Sequence, residues 1–161
     1  MIAFIPAILI SLILCIYAKK DIKDRIIPYK WWIAGIIPAV LGLVTSYFTL
    51  SLEYWMLQLV ITLLVCTALF VLGITQTLNG ADAIFMIFLM FSFMPLAIGG
   101  ISFGIISIIL AMWSGLIICV ISLKVNHTTK IAFLLPLAVG SVCMTLVLLA
   151  RDILTNFPIL T

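Results

Sequence analysis

Between Asp82 and Lys124 the sequence carries no charged side chain. A soluble domain builds its surface with about 25% charged residues, whereas this chain of 161 residues has 8% charged and 66% hydrophobic residues. In a bilayer the requirement reverses. A charge near the centre costs a few kcal/mol, and a helix satisfies its own backbone groups without water. About 20 apolar residues cross the hydrocarbon layer. On that ruler the sequence predicts an all-α, polytopic membrane protein of about six transmembrane helices. The runs are Ile2–Ala18, Trp31–Leu50, Tyr54–Ile74, Ala83–Ala97, Ile101–Leu123 and Ile131–Ala150. Only Gly99-Gly100 divides the fourth from the fifth. The first run has neither a basic segment before it nor a small-residue cleavage site after it, so it reads as a permanent helix and not as a signal peptide. No linker, low-complexity tract or clear repeat interrupts the chain, and residues 1–161 are expected to form one transmembrane domain.

The charges are placed asymmetrically. Six alternating spans put segments 19–30, 75–82 and 124–130 on one face. That face then holds Lys19, Lys20, Lys23, Arg25, Lys30, Lys124 and Lys130, and the other holds Arg151 alone. Positive charge marks the cytoplasmic side, so both termini are expected outside, together with Glu53. The net charge of +3 is accounted for by this topology and is no sign of a nucleic-acid partner; the bilayer is the expected surrounding.

Five acids remain: Asp21, Asp24, Glu53, Asp82 and Asp152. Asp21 ends the first span and Asp82 starts the fourth, and the topology sets both at the same membrane depth. If the two helices pack together, the carboxylates form a pair. Two carboxylates held close share a proton and split their pKa values. One can then activate water as a base while the other protonates the carbonyl oxygen or the leaving amine. Plainer roles are also open: a solvated boundary residue for Asp21 and Asp24, and a helix cap suited to the helix dipole for Asp82.

The local motifs sharpen the pair. The segment Asp21-Ile22-Lys23-Asp24-Arg25-Ile26-Ile27-Pro28 resembles the first catalytic motif of the type IV prepilin peptidases and archaeal preflagellin peptidases, an aspartate followed by basic residues and an Ile-Pro step. The segment Asn79-Gly80-Ala81-Asp82 resembles their second motif, Gly-x-Gly-Asp, which opens the fourth span. The resemblance extends over the chain in topology and is sharp only in these two segments. It implies Asp21 and Asp82 as catalytic residues, with Lys23, Arg25, Pro28, Asn79, Gly80 and Ala81 as the supporting motif. It also implies a membrane aspartic endopeptidase that removes the short basic leader of pilin-like or archaellin-like precursors at the cytoplasmic face, with no cofactor or metal. Asn79 and Ala81 stand where the family usually has glycines, Tyr29 where an asparagine commonly follows the proline, and Ile84 where a lysine often follows the second aspartate. Asp24 either balances Lys20 or Lys23 or holds one cation of the leader.

Longer members of that family methylate the new N-terminus and carry paired Cys-x-x-Cys motifs. Here Cys15, Cys66, Cys119 and Cys143 all fall within apolar runs with no such spacing. They read as packing residues, which implies a short form without methyltransferase activity. His127 sits among polar loop residues. Trp31, Trp32 and Trp55 suit interfacial anchoring, with Trp31 and Trp32 also placed to edge a substrate groove. Pro38, Pro95 and Pro136 predict bends or breaks, and Gly99, Gly100 and Gly104 allow close helix contact. Two other classes stay open. One is a presenilin-like or signal-peptide-peptidase-like protease, which would usually have Tyr before the first aspartate, where this chain has Lys20. The other is a non-catalytic small transporter or assembly subunit, which would place polar residues near mid-membrane.

Overall fold

The computed structural model describes residues 2–24, 32–75, 80–98, 101–103, 105–106, 108–110, 113 and 134–156. Within these, the side chains of residues 21–24, 80–81, 97–98, 101–102 and 154–156 are not described. Among the described residues the chain is helical apart from one short strand pairing and the turns that join elements. A 3-10 turn, Ile2–Phe4, leads into α1, Ile5–Asp24; α2 is Trp32–Thr49, α3 is Leu52–Ile74, α4 is Gly80–Ser92 and α5 is Leu134–Asn156. The strands β1, Ala97–Ile98, and β2, Ile101–Ser102, pair antiparallel, Ala97 opposite Ser102 and Ile98 opposite Ile101.

Among the described residues four helices are long and apolar enough to cross a membrane, over Ile2–Lys20, Trp32–Thr49, Leu52–Ile74 and Leu134–Ile153. Their outer faces are apolar as well: Leu12, Ile16, Ile37, Phe48, Leu64, Phe70, Leu146 and Val147 are all exposed. A protein in water does not present such a continuous apolar surface, so the chain is a membrane protein. The fifth expected run, Ile101–Leu123, lies largely outside the described residues.

The fourth expected run requires a correction. The sequence predicts a span over Ala83–Ala97, but α4 begins earlier, at Gly80, and ends at Ser92. Its 13 residues reach about 20 Å at 1.5 Å per residue, short of the hydrocarbon thickness. The cause is Pro95. It lacks an N–H and drives the preceding residue out of helical conformation. The chain leaves the helix through tight turns, with Met94 N–H donating to Phe91 O (3.2 Å) and Leu96 N–H to Phe93 O (3.0 Å). Phe93, Met94 and Leu96 are all buried. Non-helical backbone at this depth is tolerated where protein covers it, and here it does. The other two prolines have milder effects. Pro136 lies in the first turn of α5, where a missing N–H costs nothing, and α2 runs on through Pro38.

α4 is at the centre of the core that the described residues form. Ala83, Phe85, Met86, Leu89, Met90 and Phe93 are buried, and they pack with Ile10, Leu14 and Tyr17 of α1, Cys66 and Leu69 of α3, and Leu134 and Leu137 of α5. α2 approaches α4 through two glycines one heptad apart. A Cβ on Gly42 would collide with the carbonyl oxygen of Phe91, and one on Gly35 with the ring of Phe88. α1 and α5 run antiparallel. Ser11 and Thr145 hydroxyls meet at 3.2 Å, while Cys15, Ala18 and Lys19 share a groove of about 410 Å³ with Leu135, Ala138, Val139, Val142 and Cys143. At the junction of α2 and α3, Trp55 Nε1–H donates to Ser46 Oγ at 3.1 Å and the indole meets Tyr47 edge to face.

Candidate functional site

α1 and α4 meet through Tyr17 and Phe85, whose rings pack edge to face with centroids 5.4 Å apart. Gly35 meets Phe88 and Gly42 meets Phe91, so α2 and α4 run parallel; both α1 and the 3-10 turn at its start pack on α2, which follows α1 closely in the chain, so α1 runs antiparallel to α2 and hence to α4. Moving one turn along α1 from Tyr17 reaches residue 21, and moving one turn back along α4 from Phe85 reaches residues 81–82. The last turn of α1 and the first turn of α4 therefore stand level at one end of the bundle. The same end holds the C-terminus of α3, because Phe70, Gly73 and Ile74 line a recess of about 180 Å³ with Ala83, Ile84 and Ile87.

Asp82 is partly buried and lies in the first turn of α4. It does not open the helix: Gly80 does, so Asp82 is the third helical residue and not the cap. At that position a carboxylate still sits among unpaired backbone N–H groups at the positive end of the helix dipole. Its neighbours in the chain are apolar and packed, with Ala83 and Phe85 buried and Ile84 in the recess. Asp21, Lys23 and Asp24 belong to the last turn of α1, and their side chains lie outside the described residues. So do Arg25, Pro28 and Asn79. Gly80 and Ala81 form the start of α4. Sequence and helix pairing together thus bring the last turn of α1 and the first turn of α4 to one level, and the contact between the two carboxylates is not among the described geometry.

Trp32 opens α2, and its indole nitrogen is buried with no hydrogen-bond partner among the described residues. Trp31 lies outside them. The cysteines that are described stand in helices: Cys15 and Cys143 are exposed and Cys66 is buried. Among the described residues no three His, Cys, Asp or Glu side chains come together as a metal site.

A second polar region was not singled out from the sequence. Ser46, Gln58, Thr62 and Ser92 are all buried. Gln58, Thr62, Cys66 and Leu69 form the inward stripe of α3, and the i, i+4 spacing of Gln58 and Thr62 within an apolar span is the signal that would have found them.

Comparison with protein-family models, with curated proteins and with solved structures finds no match to the chain.

Proposed function

We propose that the chain is a membrane aspartic endopeptidase that removes short basic leaders from prepilin-like or preflagellin-like precursors. In this reading six spans place Asp21 and Asp82 at the cytoplasmic face, with both termini outside. The observation that carries it is the Tyr17–Phe85 contact, which makes neighbours of the two helices bearing the motif aspartates. The two carboxylates hold one proton between them. The ionised one takes a proton from water as the water oxygen bonds to the scissile carbonyl carbon. The protonated one gives its proton to the carbonyl oxygen. As the C–N bond breaks, the carboxylate left ionised takes one hydroxyl proton of the gem-diol while the carbonyl re-forms, and the proton taken from water passes to the leaving amine, which restores the singly protonated pair. The precursor's apolar helix lies in the bilayer beside the enzyme, and anionic lipid holds its basic leader at the surface, at about 1 kcal/mol per basic residue. The test is cleavage of a panel of such precursors in membranes by the wild-type chain, Asp21→Asn and Asp82→Asn. Cleavage by wild type and by neither variant supports the dyad; activity retained in Asp21→Asn removes it.

One observation favours a second reading, a small transporter. α4 breaks inside the protein, and Gln58 and Thr62 are buried at that depth, the kind of interrupted helix and interior polar group that transporters use. Under that reading no precursor is cut, and Gln58→Leu abolishes solute uptake.

A further inference from the structure

Thr45, Thr49, Thr67, Thr75 and Thr145 each donate a hydroxyl hydrogen to the carbonyl four residues earlier in their own helix, at 2.7–3.0 Å. This back-bonding is how a threonine hides its polarity in an apolar span. Thr62 does not do it. Its hydroxyl is fully buried and has no hydrogen-bond partner among the described residues, and the same holds for both the amide nitrogen and the amide oxygen of Gln58, which is 1% exposed. An amide left unpaired in an apolar interior is costly, so three orphaned atoms one turn apart call for a shared partner.

What lies opposite them identifies it. α3 and α4 are antiparallel, since Phe70 and Ile74 share a recess with Ile87 and Ala83. From Ile74, Thr62 and Gln58 are about 18 and 24 Å along α3, and from Ala83 opposite it Ser92 is about 14 Å along α4. The polar pair therefore lies just beyond the last residue of α4, level with the turns that follow, and β2 packs against α3. At a helix end the last carbonyls lose their intrahelical donors. The turns supply N–H partners to Phe91 O and Phe93 O, and Pro95 brings no N–H at all. The break thus has more acceptors than donors, among residues that are buried.

We infer that Gln58 and Thr62, together with the end of α4 around Ser92–Leu96, form an internal binding site for ordered water. Water fits and a cation does not. The orphaned set includes a donor, the Gln58 amide N–H₂, and a hydroxyl that donates as well as accepts, whereas a cation satisfies only oxygens. Water takes hydrogens from the amide and hydroxyl and gives its own to the amide oxygen and the freed carbonyls. The site stands apart from the aspartates and does not depend on the peptidase reading.

X-ray hydroxyl-radical footprinting on the full chain in nanodiscs tests this, because radicals form from water already inside the protein and label what it touches. Phe93 and Met94 are 0% exposed, yet both are expected to be labelled rapidly, well ahead of Met144, which is also buried, on α5. The double variant Gln58→Leu/Thr62→Val should lose that labelling several-fold and unfold at a lower temperature, and Thr62→Ser, which keeps the hydroxyl, should retain both. Phe93 and Met94 protected like Met144 in the wild type would overturn the inference. So would a double variant as stable as the wild type, since replacing truly unpaired groups by apolar ones is neutral or stabilising.

Discussion

At one end α4 begins with Gly80 and carries Asp82 in its first turn; at the other it stops at Ser92 and turns within the protein. The backbone presents spare N–H groups at the first end and spare carbonyls at the second. A carboxylate, partly exposed, stands at the first. Near the second stand neutral groups, Gln58 and Thr62, which in our inference hold the water that answers it, buried where a charge would be prohibitive. The same helix is thus served by an anion at its edge and by uncharged polar groups in its interior, and the bilayer decides which is allowed where. It follows that the edge should govern chemistry and the interior should govern stability.

The strongest test of that division is Asp82→Asn. It is expected to lower precursor cleavage by at least about 10²–10⁴-fold, the usual contribution of general acid–base catalysis, while the thermal unfolding midpoint stays nearly unchanged. Gln58→Leu/Thr62→Val should do the reverse, lowering the midpoint with little effect on cleavage. If both variants moved the same quantity, the two ends would not be separate.

A smaller but sharper effect concerns how α2 buttresses the break. In Gly42→Ala the new methyl meets the Phe91 carbonyl, which cannot yield without moving α4. About 1–3 kcal/mol of destabilisation is expected, as for other overpacked cores. In Gly35→Ala the obstacle is the Phe88 ring, which can rotate, so the loss should be the lesser of the two. Unfolding by denaturant in mixed micelles would measure both, and an equal or larger loss for Gly35→Ala would show that α2 does not pin the break through Gly42.

The smallest effect is expected at Ser11 and Thr145. Their hydroxyls meet across α1 and α5 at 3.2 Å; Thr145 donates to Ser141 O at 2.8 Å, and the single Ser11 hydrogen is shared between Ala7 O, at 2.8 Å, and the Thr145 oxygen. A double-mutant cycle with Ser11→Ala and Thr145→Val should give a coupling of about 0.6 kcal/mol, typical of such contacts in membrane helices. A coupling above about 1.7 kcal/mol, the upper end of that range, would mean that self-satisfied hydroxyls carry as much stability as the orphaned pair.

The spans were legible because hydropathy and thickness fix them with little help from tertiary structure. The expected Trp31–Leu50 and Tyr54–Ile74 are observed as Trp32–Thr49 and Leu52–Ile74. The ends were less so. α1 continues through Lys19, Lys20 and Asp21 to Asp24, because charge marks where an apolar stretch stops and does not by itself end a helix. Pro95 signalled a disturbance, but one proline reads like another until neighbours are known: α2 continues through Pro38 and α5 absorbs Pro136 in its first turn. Of the candidate site, the positions of Asp21 and Asp82 at one end of their runs could be read directly. That α1 and α4 are neighbours could not, because it depends on Tyr17 finding Phe85 across the bundle. Gly35 and Gly42 were missed in favour of Gly99, Gly100 and Gly104, since close approach is a property of two helices and only one of them carries the glycines.

The shortness of α4 also bears on how the protein meets membranes of different thickness. α2 has 18 residues and α3 has 23, about 27 and 35 Å long, so a thinner bilayer is accommodated by tilting the longer helices. The far end of α4 ends against protein and has no lipid boundary to match. Its depth is set by α2 and α3 through Gly42 and the inward stripe of α3, and hydrophobic mismatch acts on it only second-hand. The first turn of α4, with Asp82, is thereby held in register with its neighbours while the rim of the bundle adjusts to the lipid around it.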